Sequence, residues 1–158
     1  MPPLNHIHPA IVHFPIALLT VAPGLVLLGA LWPAQRRGVH AAALILLLLG
    51  LLGALVALAT GELAESFAHR TPELRVALDH HQALAWQTVA IFGALALAWL
   101  ARWATSRFLH RELPPRAAQA LFLLWLLVSA WGVVTVLRTG HAGGQMVHVL
   151  HTHGGEGP

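Results

Sequence analysis

Residues 44–60 read LILLLLGLLGALVALAT. Seventeen residues pass without a charge, and the apolar character continues outward to about His40 and Gly61. About 20 consecutive apolar residues suffice to cross the hydrocarbon core of a bilayer as a helix. The segment therefore predicts a membrane span. Its Gly50, Gly53, Ala54 and Ala57 recur at spacings of three and four, which predicts close packing of this helix against a neighbour.

Three further runs match it. Spans are predicted at about residues 9–32, 81–103 and 116–138, beside the one at 40–61. The fold class expected is an all-α integral membrane four-helix bundle, up-down-up-down, forming one domain over residues 1–158. Composition agrees. Of 158 residues, 57% are hydrophobic and 9% charged, whereas soluble domains carry roughly a quarter charged residues. The chain has no cysteine, which excludes disulfides, iron–sulfur clusters, thiolate metal sites and covalent c-type haem. No basic stripe with interleaved aromatics is present, so no nucleic-acid partner is expected. No phosphate loop, HExxH or Ser-His-Asp logic points to a hydrolase.

Local signals punctuate the helices. Thr71-Pro72-Glu73 predicts an N-cap, a first-turn proline and an early acid. Pro114-Pro115-Arg116 predicts the start of the fourth helix. Gly140 is expected to stop it, with a turn at Gly143–Gly144 and a short His-rich segment within 139–158. Trp32, Trp86 and Trp103 suit membrane interfaces, while Trp99, Trp125 and Trp131 suit packing. Arginine sets the orientation. Arg36 and Arg37 fall in one connection, and Arg102, Arg107, Arg111 and Arg116 in or beside another on the same side. The opposite side holds Arg70, Arg75 and Arg138 with Glu62, Glu65, Glu73, Asp79 and Glu156. The positive-inside rule then places both termini outside the cytoplasm, in the periplasm of a bacterial inner membrane.

The chain carries twelve histidines. His6, His8, His13, His69, His80, His81, His141, His148, His151 and His153 all fall on the outer side of this topology; only His40 and His110 fall inside. Ionisable groups within a span are costly and point to a partner. His13 lies about one turn into the first span and His81 at the start of the third, so the two are expected to face each other across the bundle axis. Paired imidazoles between apolar walls suit a b-type haem poised for electron transfer. His13 and His81 are thus the favoured axial pair. His8 with His141, or His80 with His148, would serve a second haem or contact propionates, as would Arg70, Arg75 and Arg138. Pro15 frees the carbonyl of Ile11 near His13, which would suit the non-ligating N–H of that ring. Two alternatives stand beside haem. A bare Cu, Zn or Fe ion would suit an imidazole cluster, with HVLHTH at 148–153 as a candidate tract and Glu62, Glu65 and His69 as weaker ones. A cofactor-free assembly subunit would need no ligand at all.

HPAIVHFPIAL at residues 8–18, Gly61–Glu62, His81 and GGQMVHVLHTHG at 143–154 resemble a family of bacterial membrane proteins designated domain of unknown function 2231. The likeness spans essentially the whole chain. The family's final motif, Gly-Gly-x-Leu-Val-Tyr-x-His-Gly, is altered here: Met146 and His148 replace Leu and Tyr, and the next histidine is displaced to His151 or His153. The resemblance implies a four-helix membrane domain. Family members fused or adjacent to cytochromes imply redox work, with a periplasmic cytochrome or a quinol as partner; a homo-oligomer is compatible with it.

The orientation is open to direct test, because any introduced cysteine is the only thiol in the chain. An impermeant maleimide added to intact cells is expected to label Gly157→Cys and to leave Gln35→Cys unlabelled. The reverse pattern overturns the orientation.

Overall fold

The computed structural model describes the backbone of residues 7–65 and 72–153, and the side chains of residues 11–63 and 72–146. Four helices follow in order: α1 Ile7–Leu31, α2 Arg36–Glu65, α3 Pro72–Phe108 and α4 Pro115–His153, with a 3-10 turn Pro33–Gln35 between α1 and α2. Each is long and apolar enough to cross a membrane. Pro72 and Pro115 open their helices as expected, since a missing N–H costs nothing in the first turn. The amide of Ala118 already donates to the Pro114 carbonyl at 3.0 Å.

The helices run antiparallel to their chain neighbours. Gly29 near the end of α1 meets His40 near the start of α2, and Gly53 meets Phe14 and Pro15. Gly132 of α4 meets Ile91 and Phe92 of α3, and Gly140 meets Ile16 of α1. One end of the bundle thus holds the start of α1 and the end of α4. The same end carries His13, His80, His81 and His141; the other carries Arg36, Arg102 and Arg107. They are called here the histidine end and the arginine end.

Buried positions recur at three and four residues, one stripe per helix. They include Leu19, Ala22 and Val26 on α1, Ala43 and Leu47 on α2, Phe92, Leu95 and Ala96 on α3, and Ser129, Thr135 and Val136 on α4. The outward faces are apolar too: Leu31, Leu52, Leu97 and Leu127 are all exposed. Lipid solvates such a surface as well as a protein core would, so polarity does not separate inside from outside. The buried hydroxyls are satisfied within their own helices. Ser129 donates to Leu126 O at 2.9 Å, Thr135 to Trp131 O at 3.1 Å and Thr88 to Leu84 O at 3.0 Å.

At the arginine end, His40 Nε2 lies 3.2 Å from Val26 O, in a position that a side chain on Gly29 would block. Its ring meets Trp99 edge-on at 5.8 Å, and Trp99 meets Trp125 at 5.4 Å. The Trp125 N–H donates to Leu95 O at 3.2 Å. The α3–α4 connection folds back on α3: Ser106 donates to Glu112 at 2.7 Å and Arg102 pairs with it at 3.0 Å. The Ser106 hydroxyl, then the Arg102 guanidinium, hold the Glu112 carboxyl below the usual carboxylate range. His110 takes φ 51 in this connection, a left-handed conformation in which His is enriched.

Two expectations are corrected, on Gly140 and on Trp131. The spans at about 9–32, 40–61, 81–103 and 116–138 are not among them, since helices run on past a span; α3 has 37 residues and α4 has 39, or roughly 55 and 58 Å at 1.5 Å per residue. A hydrocarbon core is about 30 Å thick, so charged ends continue the helices beyond it. Gly140 does not stop α4 and Gly143–Gly144 form no turn; the helix continues to His153. Gly140 and Gly143 serve close approach, to Ile16 and to the His81 ring. Finally, Trp131 is not packed but 53% exposed, because the inward stripe of α4 runs through Ser129, Gly132 and Thr135 instead.

A Cβ on Gly132 would sit 3.0 Å from Ile91 and from the Phe92 ring, whereas one on Gly93 meets nothing within 4 Å. Gly132→Ala is therefore expected to cost about 1–3 kcal/mol by overpacking. Gly93→Ala should be neutral or slightly stabilising by helix propensity. Thermal unfolding in detergent checks the pair, and equal midpoints overturn this account of the α3–α4 contact.

Candidate cofactor site at the histidine end

His80 and His81 are consecutive on α3, so their side chains leave the helix about 100° apart. They serve different surroundings. His81 turns toward α4, half-buried, with its ring against Gly143: a Cβ there would lie 3.1 Å from ring Cε1. Its Nδ1 lies 3.1 Å from the Thr139 carbonyl oxygen. A carbonyl only accepts, so Nδ1 carries the proton and Nε2 keeps the lone pair. Metal-ligating imidazoles are oriented this way, the non-ligating N–H tied to a carbonyl. Thr88, two turns along the same face, meets α4 at the same residue: its hydroxyl is 3.3 Å from that of Thr139, which itself donates to Thr135 O at 2.8 Å.

His13 is exposed on α1. Its height follows from the contacts below it. Ile16, three residues inward, touches the Gly140 position, and Gly143, three residues outward from Gly140, touches His81. Three residues are about 4.5 Å of rise on either helix. His13 and His81 therefore sit at similar height, on α1 and α3.

His80 and His141 are both exposed and line one open cleft of about 360 Å³ between α3 and α4. Arg138 and Gln145 add polar atoms to it, and Leu84 and Leu137 give it an apolar wall. Arg75 and Glu62 are exposed. His8 and His148 belong to α1 and α4 by backbone, but their side chains, like those of His6, Glu65, His69, Arg70, His151 and His153, lie outside the described residues. Among the described residues, no three histidine or carboxylate side chains converge.

Two features of this end escaped the sequence reading. The carbonyl that holds the His81 N–H is that of Thr139 on α4; the expectation from sequence concerned only the Ile11 carbonyl and the ring of His13. The clearance for the His81 ring comes from Gly143. The three-residue spacing of Gly140 and Gly143 was the available signal.

The profile of a family described as Predicted membrane protein (DUF2231) matches residues 5–155. No curated protein matches the chain, and no solved structure does.

The tautomer is measurable. In the neutral ring of His81, ¹⁵N chemical shifts are expected to show a protonated Nδ1 and an unprotonated Nε2. A protonated Nε2 with a bare Nδ1 overturns the assigned bond to Thr139.

Proposed function

This chain belongs to the DUF2231 family of predicted membrane proteins, and from that premise we propose that it is a membrane-embedded b-type haem electron carrier, with His13 and His81 as axial ligands. The observation that carries the reading is the His81 ring: Nδ1 is engaged by the Thr139 carbonyl, which leaves Nε2 as the coordinating atom. A ring fixed in tautomer and direction by backbone suits a ligand held through repeated oxidation and reduction. His13, at similar height on α1, supplies the second imidazole. His13 and His81 would hold haem b between them, and the group would supply a one-electron couple suited to electron transfer rather than oxygen binding. Arg138 would pair with a propionate, and Gly143 keeps the His81 ring free of a side chain. Electron exchange would be with a periplasmic cytochrome or a quinol, both termini facing the periplasm of the bacterial inner membrane.

A second reading has its own observation. His80 and His141 share one cleft with Gln145, a donor set that suits a bare Cu, Zn or Fe ion, or a second haem contact.

Absorption spectra of protein made with ample haem, oxidised and then reduced, test the proposal. Sharp reduced α and β bands are expected. His81→Ala and His13→Ala should each abolish or weaken the low-spin spectrum, and His80→Ala should retain it. Gly143→Ala, which pushes on ring Cε1, should shift the bands while binding persists. No Soret band, or wild-type spectra in both His13→Ala and His81→Ala, sinks the ligand assignment; metal analysis of the same samples then distinguishes an ion from a cofactor-free scaffold.

A further inference from the structure

The arginine end carries a second arrangement that the haem reading does not use. Trp99, Arg102, Trp103, Ser106 and Arg107 follow one another on α3 at the three- and four-residue spacing of a single helical face. With His110 they line an open cavity of about 490 Å³. Its polar groups include two guanidinium groups, a hydroxyl and an imidazole, and its walls include two indoles. The only acid of this connection, Glu112, engages Arg102 through Nη2 at 3.0 Å and Ser106 at 2.7 Å, and is itself largely exposed. Arg102 Nη1 is buried and has no hydrogen-bond partner among the described residues. A buried donor on a cationic group is costly without an acceptor. Arg107 carries a second charge, with its guanidinium 5.9 Å from the Phe108 ring centroid.

The depth of this cavity selects the acceptor. It lies at the end of a spanning helix, where Trp103, Phe108 and Leu109 are more than half exposed. Indoles and large apolar groups at that level belong to the boundary between headgroups and acyl chains. The oxygen-rich anion of that layer is the phosphodiester. Guanidinium matches its two non-bridging oxygens with two parallel N–H bonds, and basic pockets beside spanning helices suit such headgroups. We propose that this cavity binds the phosphodiester headgroup of an anionic phospholipid, with Arg102 and Arg107 on the phosphate oxygens and Trp99 and Trp103 beside the glycerol and upper acyl chains.

The test releases the full chain from nanodiscs of mixed phosphatidylcholine and phosphatidylglycerol and reads retained lipid by native mass spectrometry. Phosphatidylglycerol is expected to be retained preferentially. Arg107→Gln and Arg102→Gln should each weaken retention about tenfold, the scale of one charge-assisted hydrogen bond. Arg116→Gln, which changes charge at the same end but outside the cavity, should leave it unchanged. Circular dichroism checks folding; if loss of the Glu112 pair unfolds Arg102→Gln, Arg107→Gln carries the test alone. Equal retention of the two lipids, wild-type retention in Arg107→Gln, or an equal loss in Arg116→Gln overturns the proposal. Inorganic phosphate is titrated in a parallel arm against the tryptophan fluorescence of lipid-free protein. A saturable response abolished by Arg107→Gln would reassign the site to a free anion and overturn its assignment to a lipid.

Discussion

Inside a bilayer nothing pushes apolar helices together, because the lipid is as apolar as they are. Close approach must supply the attraction, and in this bundle close approach is a property of glycine. Gly50 and Gly53 let α2 lie on Leu18, Leu19, Phe14 and Pro15 of α1. Gly132 admits Phe92, Gly140 admits Ile16, and Gly29 admits the His40 ring. Leu19, Leu47 and Phe92 fill the space between these contacts, and the buried hydroxyls turn back onto their own helix carbonyls. Every other feature of the molecule is set by where these contacts fall.

The same contacts give the two ends different characters. At the arginine end, indoles and His40 fill the space between helices, and the chain connection is pinned by Glu112. At the histidine end, Gly140 and Gly143 of α4 admit Ile16 of α1 and the His81 ring of α3. A histidine-rich face and an arginine-rich face on opposite sides of one thin layer leave each end with its own ligand chemistry.

The number and approximate location of the spans were legible because charge-free runs of that length have one physical use. The topology followed from their count. The small residues of α2 were legible for the same reason, and Gly50 and Gly53 do face α1. Which faces turn inward was not legible from hydrophobicity, since both faces are apolar; Trp131 lies outside while Trp99 and Trp125 lie inside for reasons of shape. The length of α4 was misjudged because Gly140, Gly143 and Gly144 read as helix terminators by the habits of soluble proteins. At the histidine end, the seven-residue spacing of His81 and Thr88 puts them on one face of α3, and both meet Thr139. The partner itself was not legible, because a backbone carbonyl leaves no trace in sequence. The Trp–Arg face of α3 is legible at helical spacing, though the positive-inside rule uses its arginines only as charge.

The bond from His81 to Thr139 joins residues 58 apart in the chain, and it joins a side chain to backbone rather than to another side chain. It therefore fixes how far α3 may slide along α4. A shift of one residue would carry the carbonyl out of reach and bring a different residue against the ring in place of Gly143. The imidazole acts as a pawl between two long rods. Whatever draws on its far nitrogen therefore also loads the register of the helix pair.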